Sequence, residues 1–151
     1  MRRREKEISE KNKLEDILTK AQICRLGLLD HTLPYIVPLN FGYKDGCLYF
    51  HSASRGKKID LLKLNPTVCF EIDIDQHVLP ADIPCRWSTE YKSVIGYGTA
   101  HFITDLRHKK EALNIILNHY SPEASFDFPK DKLQEVTLIR IDITTMTGKK
   151  S

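Results

Sequence analysis

The chain has little of several things. Cysteine occurs four times in 151 residues, as Cys24, Cys47, Cys69 and Cys85, always singly and never as C-x-x-C. A disulfide scaffold and a zinc site built on paired cysteines are therefore not expected, and the thiols read as free ones in a reducing compartment. No apolar run approaches the roughly 18 residues that span a bilayer, and the first apolar stretch is too short and too polar for a signal peptide. A cytoplasmic protein without a membrane partner is expected. Neither a G-x-x-x-x-G-K loop nor a G-x-G-x-x-G turn is present, which weakens nucleoside-triphosphate and Rossmann readings. His77, His101, His108 and His119 show no spacing with Cys or carboxylates that would assemble a metal site, so no metal is expected.

Charge of one sign is also scarce in the body of the chain. The net charge is +3, yet residues 2–13 hold six Lys/Arg against three Glu and the other end adds Lys149 and Lys150. These two ends account for more than the whole excess, leaving the body slightly acidic. A nucleic-acid footprint normally covers a folded face, so residues 1–9 read as a flexible, solvated basic head and nucleic acid is not an expected partner.

The length suits a single domain, 1–151, with a core of its own. Leu14, Ile17, Leu18 and Ala21 recur at helical spacing and predict a helix over 10–21. The period then drops to two. Residues 23–30 and 34–43 read as strands of a hairpin around His31, Thr32 and Leu33, and Tyr35, Val37, Leu39, Phe41 and Tyr43 share one face. Asp45-Gly46 is a hairpin turn leading to a strand at 47–52, so the first three strands are expected to form a meander. A short helix follows at 57–64, stopped by Asn65-Pro66. A fourth strand covers 67–75, with Asp73 and Asp75 on its wet side as surface residues. Residues 76–90 read as a long loop, mobile or covering a ligand, in which Trp87 is either a stacking residue or a rim or interface aromatic. A fifth strand spans 91–103, where Gly96 and Gly98 predict a bend or bulge. A helix at 106–120 and a sixth strand at 136–144 complete the chain. Mostly antiparallel strands with few helices favour a small β-barrel.

One segment carries a chemical signal by itself. Ser52, Ser54, Arg55, Gly56, Lys57 and Lys58 stand at the entrance of the second helix, where unpaired N–H groups, the positive end of the helix dipole, hydroxyls and cations together suit an anion. A solvated basic turn is the competing reading.

Linked motifs make the signal more specific. Tyr35-Ile-Val-Pro-Leu-Asn-Phe-Gly-Tyr43, Asp45-Gly-Cys-Leu-Tyr-Phe-His-Ser-Ala53, Gly56-Lys-Lys-Ile-Asp60, Asn65-Pro-Thr-Val-Cys-Phe-Glu71 and Ser93-Val-Ile-Gly-Tyr-Gly98 occur in an order that resembles the FMN-binding split-barrel family, the superfamily of pyridoxamine 5′-phosphate oxidase, and within it the nitroimidazole-resistance (Nim) proteins. The resemblance implies a six-stranded antiparallel Greek-key split β-barrel with a few peripheral α-helices, a homodimer with sites built from both subunits, and FMN as cofactor. It places Val37, Pro38, Leu39 and Asn40 beside the isoalloxazine. His51, Ser52 and Ala53, followed by Lys57 and Lys58, would track the ribityl chain to the phosphate, with Lys58 its best-matched lysine. Ser93, Val94 and Ile95 match a strand that lines the site across the dimer interface. In similar proteins a histidine near His51 faces the flavin pocket or, in some relatives, a haem; the alternative is a strand histidine satisfied by its neighbours. The arginine, tyrosine and histidine pattern that reads the vitamin B6 phosphate is missing beyond Arg140, so that substrate does not transfer. The implied activity is flavin-dependent reduction of a small oxidant, such as a nitroaromatic or quinone, by NAD(P)H, with no catalytic acid–base residue identified. A flavin- or haem-holding protein without a dedicated reaction is the alternative.

Overall fold

The computed structural model describes residues 3–122 and 126–151. After a single 3₁₀ turn at Arg4–Lys6 come β1 (Glu7–Ile8), α1 (Lys11–Lys20), β2 (Cys24–Asp30) and β3 (Leu33–Leu39). β4 (Gly42–Lys44), β5 (Cys47–Ser52), α2 (Lys57–Leu64) and β6 (Thr67–Leu79) follow, then β7 (Ser88–Ile103), α3 (Leu106–Tyr120), α4 (Lys130–Glu135) and β8 (Thr137–Lys150). The long helices sit where apolar spacing predicts them, and Leu14, Ile17 and Leu18 of α1 are buried. Asp105 begins α3 with its carboxylate accepting from the N–H groups of Arg107 and His108, which satisfies two of the donors every helix start leaves free.

All strand pairs are antiparallel, in the order β3-β2-β6-β7-β8-β5-β4, with β1 added beside β8. Only Asn40 and Phe41 separate β3 from β4, yet these strands lie at opposite edges of the sheet. The sheet must therefore curl until its edges meet, which makes a barrel. Phe41, Phe50, Phe70, Leu26, Ile72 and Ile141 fill it, all with essentially no exposed surface.

The mainly β, antiparallel barrel is as expected, but it has eight strands rather than six. The run 34–43 is two strands, because the Phe41 N–H donates to the Tyr120 hydroxyl at 2.9 Å instead of joining a ladder. Inward alternation continues across that break, which hides it in the sequence. The expected meander is consequently absent: β3 pairs with β2 at one edge and β4 with β5 at the other. Residues 76–90, expected to be a loop, mostly extend β6 and β7 as a hairpin with His77 opposite Glu90 and Leu79 opposite Ser88. Both faces of that ribbon are wet, so it has no apolar alternation to read. Part of the head expected to be flexible is in the sheet, with Glu7 opposite Lys149, Ile8 opposite Gly148, and Ile8 buried. Two expectations of detail hold. Asp45 and Gly46 both take left-handed φ, 49° and 78°, as a two-residue hairpin turn requires. The ladder between β7 and β8 slips between Tyr97 and Gly98, leaving Thr144 as the extra residue of a bulge.

Candidate functional site

The closure of the barrel is incomplete, and the gap runs between the expected site segments. Among the described residues β3 has a ladder partner only in β2. β5 pairs with β4 over Cys47 to Tyr49 and with β8 throughout, so beyond Tyr49 its other edge has no strand beside it among the described residues. Continuing the β4–β5 register past Gly42 opposite Tyr49 brings Asn40 level with His51. The stretches Val37 to Asn40 and His51 to Ala53 thus border an open seam, with backbone groups that no ladder satisfies. Val37 and Leu39 pack on the core while Pro38, Asn40, His51 and Ala53 are exposed and Ser52 is half-buried. The seam therefore offers polar backbone edges over an apolar floor.

At its far end the seam is bridged by α2. The Lys57 ammonium lies 2.7 Å from the Asp30 carboxylate and 4.9 Å over the Tyr35 ring. The hydrogen bond between them holds the Asp30 carboxyl below the usual carboxylate range and pushes the Lys57 ammonium up. Gly56, at φ 128°, begins the helix without a capping side chain, and the first helical bonds come from Ile59 and Asp60 to the Gly56 carbonyl. The N–H groups of Lys57 and Lys58 are thus left free at the helix start. Lys58 is half-buried, has no carboxylate within ion-pair distance among the described residues, and has its pKa lowered by desolvation alone. Free N–H groups and the positive end of the helix dipole lie at the start of α2, and Lys58 in its first turn adds an unbalanced cation, a combination that suits an anion.

Ser93, Val94 and Ile95 are not brought to this seam within one chain. Pro38, Arg25, Glu71 and Ile95 lie in one row across β3, β2, β6 and β7. Three strand spacings separate the ends of that row, about 14 Å. Ser93 is half-buried and Ile95 exposed on the outer face, whereas Val94 has no exposed surface and its backbone is paired on both sides, opposite Ile72 and Gly148. The Val94 side chain belongs to the core.

Other candidates resolve plainly. Asp73 and Asp75 are not a carboxylate pair: Arg25 binds Asp73, and also Glu71 at 3.0 Å, while Lys92 binds Asp75 at 2.9 Å. Burial, then the neighbouring Asp73, push the Glu71 carboxyl up, and Arg25 opposes both. Trp87 is exposed and its indole N–H donates to the Ala81 carbonyl at 2.8 Å. No group of three metal-ligating side chains occurs among the described residues. The His51 side chain lines an apolar cavity of about 290 Å³ with Leu113, Ile116, Phe128 and Leu133. A larger cavity of about 700 Å³ between α3 and the β4–β5 turn includes none of the expected site residues. Sequence reasoning missed Arg25, Asp30 and Tyr35. Arg25 at least left a trace, a charge at an outward position of a strand whose neighbour carries Glu71 and Asp73.

With the architecture in place, comparison with known proteins is decisive at the level of family. A sequence model described as pyridoxamine 5′-phosphate oxidase matches residues 10–150. The chain belongs to the pyridoxamine 5′-phosphate oxidase family. A solved structure of a candidate 5-nitroimidazole antibiotic resistance protein from Bacteroides thetaiotaomicron is 33% identical, with TM-score 0.86, covering 95% of this chain and 85% of that one. An FAD- and haem-binding protein from Mycobacterium smegmatis shares the fold with TM-score 0.85 at 18% identity, over 97% of this chain and 73% of its own. A flavocytochrome from Azotobacter vinelandii does so with TM-score 0.80 at 17% identity, over 96% and 69%. No curated protein sequence matches the chain. Of the motif residues that carry the resemblance, Val37 to Asn40 and His51 to Ala53 border the seam, while Tyr43, Asp45 and Tyr49 line the larger cavity.

Proposed function

We propose that the seam binds a flavin, FMN by preference, with its phosphate at the start of α2 and its ring along Val37 to Asn40. The observation that carries this reading is Lys58, a half-buried ammonium without a counter-ion beside free helix N–H groups. The residues fit the cofactor: unpaired backbone edges suit the polar rim of the ring, the apolar floor of Val37 and Leu39 excludes water beneath it, and Ser52 and Ala53 border the path between ring and phosphate. The flavin-binding descriptions of the structural relatives from Mycobacterium smegmatis and Azotobacter vinelandii support it at the level of the fold.

The site is completed by a second copy of the chain. The gap of about 14 Å between the seam and Ser93 to Ile95 supports this, because Ser93 and Ile95 face outward and are too far away to serve their own seam. Leu29, Ile36, Ile95 and Tyr97 are exposed on the same outer face, an apolar surface of the kind that two-fold dimers cover.

The reaction proposed is reduction of a small oxidant, a nitroaromatic or a quinone, with NAD(P)H as donor. When bound, a flavin supplies the two-electron chemistry, and the chain's own residues bind, orient and dry it. Vitamin B6 phosphate is a poor substrate on this reading, since Arg140 is already held by Asp142 at 2.7 Å. Purified protein should be yellow, release FMN on denaturation, and bleach when NADH or NADPH is added without oxygen. Failure with both donors removes the oxidoreductase reading while leaving flavin binding intact. His51, exposed beside an apolar cavity and without a hydrogen-bond partner among the described residues, favours haem holding as the second reading. A sharp Soret band in place of the flavin spectrum would establish it.

A further inference from the structure

We propose that the hairpin arm formed by the far ends of β6 and β7 clasps a second copy of this chain. The inference rests on the two-copy reading of the site and extends it to a specific device. From Asp75 to Glu90 every residue is exposed except Ala81, which is half-buried. The arm nevertheless carries Val78, Leu79, Ile83 and Trp87, with Val78 63% and Trp87 56% exposed. A lone two-stranded ribbon is marginal in water, and a cluster of exposed large apolar side chains marks a contact surface.

The arm is built to present those side chains in fixed positions. Its tip is fastened by hydrogen bonds from Arg86 N–H to the Ile83 carbonyl at 2.9 Å, from Trp87 N–H to the Pro84 carbonyl at 3.1 Å, and from the indole to Ala81. Its base is set by Asp75 at φ 57°, by the slip in register between Ile74 and His77, and by the Lys92–Asp75 ion pair.

Two features identify the occupant as another copy. β7 is unbroken from Ser88 to Tyr97, and Val78 pairs with Thr89, so Val78 lies on the same face as Ile95 and Tyr97. The apolar outer face of the barrel and the arm form one surface, and a body that covers Ile95 and Tyr97 reaches Val78. The charges agree with this. Residues 75–90 hold Asp82 and Glu90, which have no ion-pair partner among the described residues, against Arg86, while the turn before α2 offers Arg55, which has no carboxylate partner among them. An acidic arm suits the basic end of another copy and is repelled by nucleic acid or an anionic bilayer.

The test uses the full chain, a trimmed chain in which Gln76 is joined to Glu90 through Asn-Gly, and the point variants Trp87→Ala and Val78→Asp. Sedimentation over a dilution series is expected to show a dimer for the full chain and association at least about tenfold weaker in each variant. Trp87 is the only tryptophan, so its emission should shift to the red on dilution through the same midpoint. Unchanged association in the variants, or a Trp87 already solvent-exposed in the dimer, overturns the clasp and leaves the shared site standing. A full chain that is monomeric throughout overturns both, and its flavin content then decides whether flavin binding survives. If the trimmed chain does not fold, the two point variants make the same distinction.

Discussion

The Lys57 ammonium is bound to the Asp30 carboxylate at 2.7 Å, so of the two adjacent lysines that open α2 only Lys58 is free to meet an anion. On the proposed reading the pair divides the labour, Lys57 anchoring the helix across the seam and Lys58 holding the phosphate. Their substitutions should accordingly differ.

Lys58→Ala is expected to weaken FMN binding by about 10- to 100-fold, the loss of one hydrogen bond between charged partners, about 1.5–3 kcal/mol. The fold should be unaffected, since removing a partly buried cation without a counter-ion takes away a desolvation cost. Lys57→Ala should act mainly by loosening α2 from β2. Titration of apo protein with FMN, followed by flavin fluorescence, compares the two; equal losses in both variants would contradict the division.

The pH dependence of FMN affinity follows from the same burial. Desolvation lowers the Lys58 pKa, and a bound phosphate would raise it again, so binding takes up a proton where the free protein has lost one. Affinity should therefore fall as pH rises through the lowered Lys58 value, before the region near 10.4 where an ordinary lysine titrates. Lys58→Arg should bind without that fall, because guanidinium stays charged. Isothermal titration in buffers of different ionisation enthalpy measures the proton directly.

Gly42 is where α3 rests on the barrel, and a Cβ there would lie 2.7 Å from the Ile115 carbonyl oxygen. Gly42→Ala must push the helix away, at a cost of about 1–3 kcal/mol. Urea unfolding should show the loss in midpoint with little change in slope. Because α3 also walls the cavity behind His51, the environment of that imidazole should change in its proton NMR signal.

The sequence reveals elements whose two faces differ. α1, α3, β2 and β5 have a buried and a wet side, and their periods can be read directly. It hides the break at Phe41, where inward alternation persists although the N–H has gone to Tyr120, and the arm at 75–90, where both faces are wet and no period is needed. The site divides in the same way. The basic turn at Ser54 to Lys58 is a local feature and legible as such, but the partnership of Lys57 with Asp30 joins residues far apart in the chain. Nothing local distinguishes Lys57 from Lys58. Likewise the outward direction of Ile95 and the burial of Val94 depend on register, which only the assembled sheet fixes.

Arg25 offers the last prediction. It stands on the outer face between Glu71 and Asp73 and binds both. In Arg25→Ala the two carboxylates face each other without a cation, on top of the desolvation that already raises Glu71. The sign of the effect can be worked out. A carboxyl whose folded pKa stands above its unfolded value destabilises the fold at pH above that folded pKa, and the penalty disappears as pH falls below the unfolded value, near 4.3 for glutamate. The variant should thus be less stable than the parent at neutral pH by about 0.2–1 kcal/mol, as for other exposed pairs, and the deficit should shrink towards pH 4. Thermal unfolding at pH 7 and pH 4 checks it, and a deficit that persists unchanged in acid would show that Arg25 acts through packing of its side chain instead.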